Sequence, residues 1–261
     1  MTMNNGLTRQ ILKKACIIEF FLLCQGVVAV WLDYSAAFSF NLQAMSDLAA
    51  LIQLYAEQHT QNEPDHLYAL NRYTHLNVLK PRMLSGAIQG RFLALLSQLM
   101  QAQYVLDIGT FTGYSALCLA EGLANNGVVH SIDNNEETTH IAQTFIQSSP
   151  YANQIICHLG EAKSCIASLN ESVPYWDMVW IDAHKADYAD YYDLCFDKVK
   201  PGGLILADNV LWDGKVVDTE ALQNDKDTKA LHSFNQKIKS DNRVQPLLLP
   251  IRDGILIMRK R

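Results

Sequence analysis

Two short apolar segments of the sequence each end in side chains that carry oxygen ligands. Residues 175–182 and 202–209 are typical of buried strands, and they end in Asp182 and in Asp208-Asn209. In a doubly wound sheet the carboxyl ends of such strands lie side by side, at the edge where ligands bind. Two carboxylates and one amide, with room left for water or substrate, suit a hard divalent cation such as Mg²⁺ better than Zn²⁺. The alternatives are a helix cap for Asp182 and an ordinary turn for Asp208-Asn209.

Lys185 stands three residues after Asp182, on the loop or first helical turn beside the predicted cation. A neighbouring positive charge destabilises an ammonium group, so Lys185 could act as a general base toward a substrate hydroxyl. The alternative is a solvated helix lysine that pairs with Asp187 or Asp190.

The segment 104–115 combines an apolar strand, a loop between Gly109 and Gly113, and the start of an amphipathic helix. Glycines at these positions allow the backbone to approach a ligand at the N-terminus of the helix. The loop has neither the G-x-G-x-x-G spacing nor a G-K-[ST] sequence, so a pyrophosphate or triphosphate is not the favoured ligand. A tight turn without a ligand explains the two glycines equally well.

The next apolar strand ends in Asp133, about twenty residues after the second glycine. An acidic side chain at this position can accept hydrogen bonds from both hydroxyls of an adenosine ribose, as it does in dinucleotide enzymes. The alternative is that Asp133 caps the following helix, a role that Asn134 or Asn135 could also fill.

The composition excludes some classes of protein. The chain has 261 residues, of which 49% are apolar and 18% charged, and a formal net charge of −6. No basic stripe with interleaved aromatic residues is present, so nucleic acid is not an expected partner. The six cysteines have no C-x-x-C spacing, which predicts reduced core residues in a cytoplasmic protein.

The amino-terminal segment disagrees with that location. Residues 15–32 are almost continuously apolar and follow Arg9, Lys13 and Lys14, as in a signal peptide or membrane anchor. Export would separate the chain from an adenosine cofactor, and the segment is at the short limit for a membrane span. We therefore interpret residues 1–44 as an upstream extension, with Met45 opening the native protein and no membrane association; a membrane anchor is the alternative.

Alternating helical and strand patterns predict an α/β fold with a parallel, doubly wound sheet. Residues 45–261 are expected to form a single domain whose first part, 45–100, is helical. The first of these helices has an apolar face of Leu48, Leu51, Ile52, Leu54 and Tyr55. Strands are predicted at 105–108, 128–133, 155–159, 178–182 and 204–207, followed by an antiparallel hairpin of 244–249 and 255–258.

Six motifs occur together in the chain: PRMLSGAIQG (81–90), LDIGTFTGYS (106–115), WIDAHK (180–185), KPGG (200–203), DNVLW (208–212) and RDG (252–254). On these motifs the chain resembles the metal-dependent O-methyltransferase family that includes catechol and caffeoyl-CoA O-methyltransferases, particularly its small bacterial members. The likeness covers about residues 73–259. It implies a class I methyltransferase fold: a Rossmann-like, doubly wound, seven-stranded sheet with an antiparallel C-terminal hairpin. It also implies a homodimer.

The resemblance further implies S-adenosylmethionine as methyl donor. The residues implied at the donor are Met83 and Ser85 at the sulfonium side, Asp107, Gly109, Phe111 and Ser115 at the methionine end, Asp133 at the ribose, Ala162 at the adenine, and Asp182. The metal would lie on Asp182, Asp208 and Asn209, and Lys185 matches the catalytic lysine of the family. Two positions depart from catechol O-methyltransferase: Asp107 stands for a glutamate, and His184 for an aromatic residue.

The implied reaction moves a methyl group to one hydroxyl of a vicinal diphenol, a small aromatic acceptor chelated by the metal. Lys185, with Asp182 beside it, would remove the proton, and Trp212 and Tyr188 could flank the aromatic ring. One alternative is an NAD(P)-dependent oxidoreductase, for which Asp133 would serve equally well. The other is a cofactor-binding or membrane-tethered protein without catalysis.

Overall fold

The computed structural model describes residue 48 and residues 50–261. The interpretations of residues 1–44, of the apolar segment 15–32 and of the start at Met45 lie outside the described residues. The chain divides into two compact units. One contains the described residues up to Thr60 together with Asp218–Glu220. The helix of this unit covers residues 50–58. The apolar face predicted for that helix is exposed. The other unit comprises Gln61–Val217 and Ala221–Arg261, and a single domain 45–261 stays a prediction.

The remaining elements alternate as the sequence predicts. The helices are α1 (Asp65–Asn77), α2 (Ala87–Met100), α3 (Tyr114–Glu121), α4 (Glu136–Gln147), α5 (Ala162–Ser172), α6 (Tyr188–Phe196), α7 (Thr219–Asn224) and α8 (Lys226–Ser240). The strands are β1 (Tyr104–Ile108), β2 (Val128–Asp133), β3 (Ile155–Leu159), β4 (Trp176–Ile181), β5 (Val199–Ala207), β6 (Val244–Leu249) and β7 (Ile255–Lys260). Short 3-10 helices cover Pro81–Met83, Lys185–Asp187 and Lys215–Val217. Every helix in this part of the chain is too short or too polar to traverse a bilayer.

The strands form one seven-stranded sheet in the order β3-β2-β1-β4-β5-β7-β6. The first five strands are parallel, whereas β7 pairs antiparallel with β5 and with β6. The predicted parallel sheet with a C-terminal hairpin is therefore confirmed. The predicted start of β5 at residue 204 is wrong, because the Pro-Gly-Gly run stays extended and Val199 pairs with Trp176 across an irregularity in the ladder.

Side chains on the two faces of the sheet enter two separate apolar cores. Along β4, Val179 and Ile181 enter one core, and Met178 and Trp180 enter the other, as expected for a strand buried on both faces. Helices α5, α6 and α8 cover the first core, and α1 to α4 cover the second. This two-sided burial explains why the central strands are apolar without alternation.

The carboxyl ends of the parallel strands meet at one edge, and backbone hydrogen bonds continue past them. The Asp182 amide donates to the Ile108 carbonyl (2.8 Å), and the Asp208 amide donates to the Ile181 carbonyl (2.9 Å). Gly109 has φ +109°, and a Cβ on it would lie 2.1 Å from the Asp182 carbonyl oxygen. Residue 109 of the predicted cofactor loop must therefore be glycine because a side chain there would collide with the backbone at the end of β4.

We expect Gly109→Ala to lower the free energy of unfolding by more than about 2 kcal/mol, because the new Cβ forces β1 and β4 apart. Gly214→Ala is the matched control, since Gly214 also has positive φ (+72°) but nothing within 4 Å of the point that a Cβ would occupy. It should lose only the roughly 1–2 kcal/mol of backbone strain. Urea unfolding measures both, and equal losses would contradict the role given to the contact with Asp182.

Two histidines of adjacent strands stack beside Trp176. Nδ1 of His130 lies 3.0 Å from Nε2 of His158, and the ring centroids are 5.2 Å apart. Burial, and then the charge of His158, lower the pKa of His130 to about 4. Because one of these two nitrogens must donate and the other accept, a proton on the accepting nitrogen would break the contact.

The His130 pair should lower the stability of the fold in mild acid relative to a chain without it. Between about pH 6.5 and 4 the unfolded chain binds a proton at this position that the folded chain refuses, so the contribution of His130 to stability falls as pH falls. Burial raises the pKa of Asp107 and Asp208 to about 7, so these two groups act in the opposite direction over the same window. His130→Gln should therefore gain stability relative to the wild type as pH falls, and His140→Gln, at an exposed histidine of α4, should not. Urea unfolding from pH 4 to 7 provides the comparison. An unchanged slope in His130→Gln would refute the assignment.

The four cysteines in this part of the chain are free thiols: Cys118 and Cys195 are buried, and Cys157 and Cys165 are half-buried. Burial raises the pKa of Cys118 to about 12 and that of Cys157 to about 11. The thiols of Cys118 and Cys157 therefore stay protonated and unreactive, and the interpretation of the cysteines as reduced residues stays a prediction.

Candidate functional site

The predicted metal ligands lie together at the carboxyl ends of β4 and β5. Asp208 is only 3% exposed. Burial, followed by the charge of Asp182, raises its pKa to about 7. Each oxygen of the Asp208 carboxylate accepts one hydrogen bond: Oδ2 from Gln89 Nε2 (2.5 Å) and Oδ1 from the Asn209 amide (2.8 Å). Two carboxylates that raise each other's energy in this way form a site that a cation would stabilise.

The donor set fits a hard cation if Asn209 takes part. Within the described chain, no cluster of three His, Cys, Asp or Glu side chains could hold a metal, so the two carboxylates need a different third ligand. Asn209 has φ +57°, a conformation that asparagine tolerates, and it directly follows Asp208. Mg²⁺ accepts a set of one amide oxygen and two carboxylates. Zn²⁺ prefers nitrogen and sulfur donors, which this set lacks.

Lys185 is held at the same edge by two hydrogen bonds. Its Nζ donates to Asp182 Oδ1 (2.8 Å) and to the Tyr188 hydroxyl (2.6 Å), and its side chain is 10% exposed. Asp187 and Asp190 pair with Lys163 instead. The alternative in which Lys185 is a solvated lysine paired with one of them is therefore wrong.

Tyr188 fixes the position of Lys185 by accepting a hydrogen bond from its Nζ. Its ring is fully buried, so it does not flank an acceptor at the surface as the sequence suggested. Burial, and then the charge of Asp182, raise the pKa of its phenol well above the usual value. The hydroxyl therefore keeps its proton, which it donates to the Asp208 carbonyl (3.0 Å). Trp212 lies near the ammonium, with its ring centroid 5.9 Å from Lys185 Nζ.

Asp107 forms a buried polar cluster beneath the glycine loop. Its carboxylate accepts hydrogen bonds from the hydroxyls of Ser131 and Ser115, and Ser131 Oγ lies 2.6 Å from Thr110 Oγ1. Complete burial raises the pKa of Asp107 to about 7, although the two serines oppose that shift. Ser131 was missed in the sequence, but a serine inside an apolar strand, in register with Asp107, is a usable signal.

Asp133 joins the end of β2 to the same loop. Its Oδ2 accepts from the Phe111 amide (2.7 Å) and its Oδ1 from the Asn135 amide (2.9 Å). The helix cap proposed as its alternative role belongs to Asn135, whose side chain accepts from the Thr138 amide (3.1 Å). Asp133 thus shapes the loop instead of capping α4.

Three further predicted cofactor residues lie on two other segments of the chain. Ala162 begins α5 directly after the turn in which the Gly160 amide donates to the Asp133 carbonyl (2.9 Å). Ser85 is buried before α2, whereas Met83 is 55% exposed at the end of a 3-10 helix.

Helix α1 and the residue before it form hydrogen bonds with the glycine loop and the start of α3, a feature that the sequence did not reveal. Thr74 Oγ1 donates to Thr112 Oγ1 (3.1 Å), and the Tyr114 hydroxyl donates to Glu63, directly before α1. Burial raises the pKa of Tyr114, so its hydroxyl remains a donor. These contacts join residues separated by 38 and 51 positions.

Tyr114→Phe should lower the free energy of unfolding by about 1–3 kcal/mol, because a half-buried carboxylate loses a donor while the ring stays in place. Tyr68→Phe, at an exposed tyrosine of α1, is the control and should be neutral. Thermal or urea unfolding would distinguish them, and no loss in Tyr114→Phe would argue against a supporting role for the contact with Glu63.

The strand order, the antiparallel C-terminal pair and the loop after β1 define a class I methyltransferase fold. Residues 57–261 match the O-methyltransferase family, and the chain belongs to that family. It is therefore an O-methyltransferase, and the NAD(P)-dependent oxidoreductase considered from the sequence is excluded.

Similar proteins agree with this assignment. "Probable caffeoyl-CoA O-methyltransferase 2" of Dictyostelium discoideum is 35% identical over 209 residues, which cover 79% of this chain and 90% of that protein. Caffeoyl-CoA O-methyltransferase 1 of Nicotiana tabacum is 33% identical over 185 residues, covering 68% of this chain and 77% of that protein. The O-methyltransferase from Bacillus cereus, solved in complex with SAH, superimposes with a TM-score of 0.74 at 25% identity, covering 81% and 97% of the two chains.

Proposed function

We propose that this O-methyltransferase uses S-adenosylmethionine and a divalent cation to methylate one hydroxyl of a vicinal diphenol. The observation that supports this most is the double use of Asp182. Its backbone carbonyl packs against Gly109 of the loop, while its carboxylate accepts from Lys185 and faces the charge of Asp208. One residue thereby joins the loop that would hold the donor to the groups that would act on the acceptor.

The donor would lie along the loop after β1. Asp107, Gly109, Phe111 and Ser115 would line its methionine end, and Asp133 would accept from its ribose. Asp133 uses one lone pair of each oxygen on backbone amides, so lone pairs remain for the ribose hydroxyls. Ala162 would contact the adenine, with Met83 and Ser85 at the sulfonium. The similar enzyme from Bacillus cereus, solved with SAH, supports this choice of donor.

Asp182, Asp208 and Asn209 would hold the cation, for which Mg²⁺ is our choice on the basis of the oxygen donors. When bound, such a cation lowers the pKa of a chelated phenolic hydroxyl and orients it.

Lys185 would receive the proton of the reacting hydroxyl at Nζ, in its neutral form. Asp182 and Tyr188 fix the position of that nitrogen from two sides. The phenolic oxygen then forms a bond to the methyl carbon, and the carbon–sulfur bond breaks to leave a neutral thioether. Because charge is lost in this step, holding both reactants in contact in a dry cleft contributes more than stabilising a new charge.

The acceptor class follows from the same groups. A catechol or caffeoyl compound presents two adjacent oxygens that suit chelation, and the similar proteins of Dictyostelium and tobacco are named as caffeoyl-CoA enzymes. A homodimer also stays a prediction from the family.

Methyl transfer from labelled S-adenosylmethionine to catechol and caffeoyl acceptors tests the proposal. Metal-free protein should be inactive and should regain activity with Mg²⁺. Lys185→Met should lower kcat by about a hundredfold or more with the KM for the donor unchanged, because it removes the base only. Lys163→Met, at a lysine paired with Asp187 and Asp190, is the matched control and should keep full activity. Full turnover by Lys185→Met, or by metal-free protein, would reject the corresponding part of the proposal.

A further inference from the structure

Gln89, in the first turn of α2, is buried against the carboxylate of Asp208. It is 1% exposed, and its Nε2 donates to Asp208 Oδ2 at 2.5 Å. Its Oε1 accepts from Arg252 Nη1 at 3.1 Å. The amide therefore bridges a guanidinium of the C-terminal hairpin and a carboxylate at the end of β5.

The two neighbours determine which way the amide points. Arginine has only donors, and an ionised carboxylate has only acceptors. Gln89 must turn its oxygen to Arg252 and its nitrogen to Asp208, so the guanidinium sets the direction of the hydrogen bond that Asp208 receives. The amide in turn fixes Oδ2, while the Asn209 amide fixes Oδ1.

Arg252 has an unusual backbone conformation for a residue that is not glycine. Its φ is +51°, in the left-handed region that favours glycine, within the turn between β6 and β7. Its Nη1 also donates to the Leu84 carbonyl (3.2 Å), just before Ser85. The side chain therefore ties the hairpin turn to the segment that leads into α2, at a position where a glycine would be easier to accommodate.

We infer that Gln89 and Arg252 are positioning residues for the metal-binding carboxylate: Arg252 orients the Gln89 amide, and Gln89 holds Asp208 in the orientation that binds the cation. This inference rests on the proposed metal function and extends it to two residues that do not touch the cation. Each carboxylate oxygen keeps a free lone pair after accepting one hydrogen bond, so the pair restrains Asp208 without blocking it. Partners of metal-ligating groups typically contribute about tenfold to a hundredfold in metal affinity.

Mn²⁺ binding by the full-length protein, followed by electron paramagnetic resonance and by titration calorimetry, tests the inference without an activity assay. Gln89→Leu should raise the Kd for Mn²⁺ by about tenfold or more. Arg252→Gly should also raise it; glycine relieves the backbone strain at φ +51°, which offsets part of the stability lost with the two hydrogen bonds of the arginine. Arg252→Lys, which keeps a donor, should restore part of the affinity. Arg259→Ala, at an exposed arginine of β7, should bind Mn²⁺ like the wild type.

The double variant Gln89→Leu/Arg252→Gly provides the decisive comparison. If Arg252 acts through Gln89, the double variant binds no more weakly than Gln89→Leu alone, whereas independent roles give additive losses and overturn the inference. Wild-type binding that is lost in Asp208→Asn but unchanged in Gln89→Leu and Arg252→Gly would overturn the inference and leave the metal proposal intact. Absence of Mn²⁺ binding by the wild type would overturn both.

Discussion

The close contact between β1 and β4 at their carboxyl ends is the constraint on which the rest of the site depends. Gly109 leaves room for the Asp182 carbonyl, and the Asp182 amide continues the ladder to Ile108. A larger residue at 109 would move the glycine loop away from the strand end that carries Asp182. The loop proposed to hold the donor and the groups proposed to act on the acceptor therefore share one position in the sheet, which is what a transfer between two bound molecules requires.

That arrangement places negative charge where water cannot solvate it well. Asp107 and Asp208 are both buried, and burial raises the pKa of each to about 7. The protein offsets this with hydrogen-bond donors at Asp107, from Ser131 and Ser115, and at Asp208, from Gln89 and the Asn209 amide. Strongly shifted pKa values of this kind cluster at functional sites of proteins, which agrees with the position of both carboxylates at the candidate site.

Local sequence was enough to predict the carboxyl ends of these strands, because apolar runs that stop at Asp133, Asp182 and Asp208 indicate both the sheet and the edge where the candidate site lies. It was not enough to predict contacts across long separations, such as Gln89 with Asp208, 119 residues apart. The residue type of a buried carboxylate does not identify its hydrogen-bond donor, because many residues of the chain could donate to it. The partner of Lys185 was open for the same reason, since three nearby aspartates had the right charge and only the turn after β4 selects Asp182.

The placement of two buried thiols has a practical consequence. Cys118 belongs to the core covered by α1 to α4, and Cys195 to the core on the other face of the sheet. Neither sulfur is accessible in the folded state, and burial raises the pKa of both. A thiol reagent can react with each only when its own side of the molecule opens, so the rates of labelling at the two positions would report the local opening of each half independently.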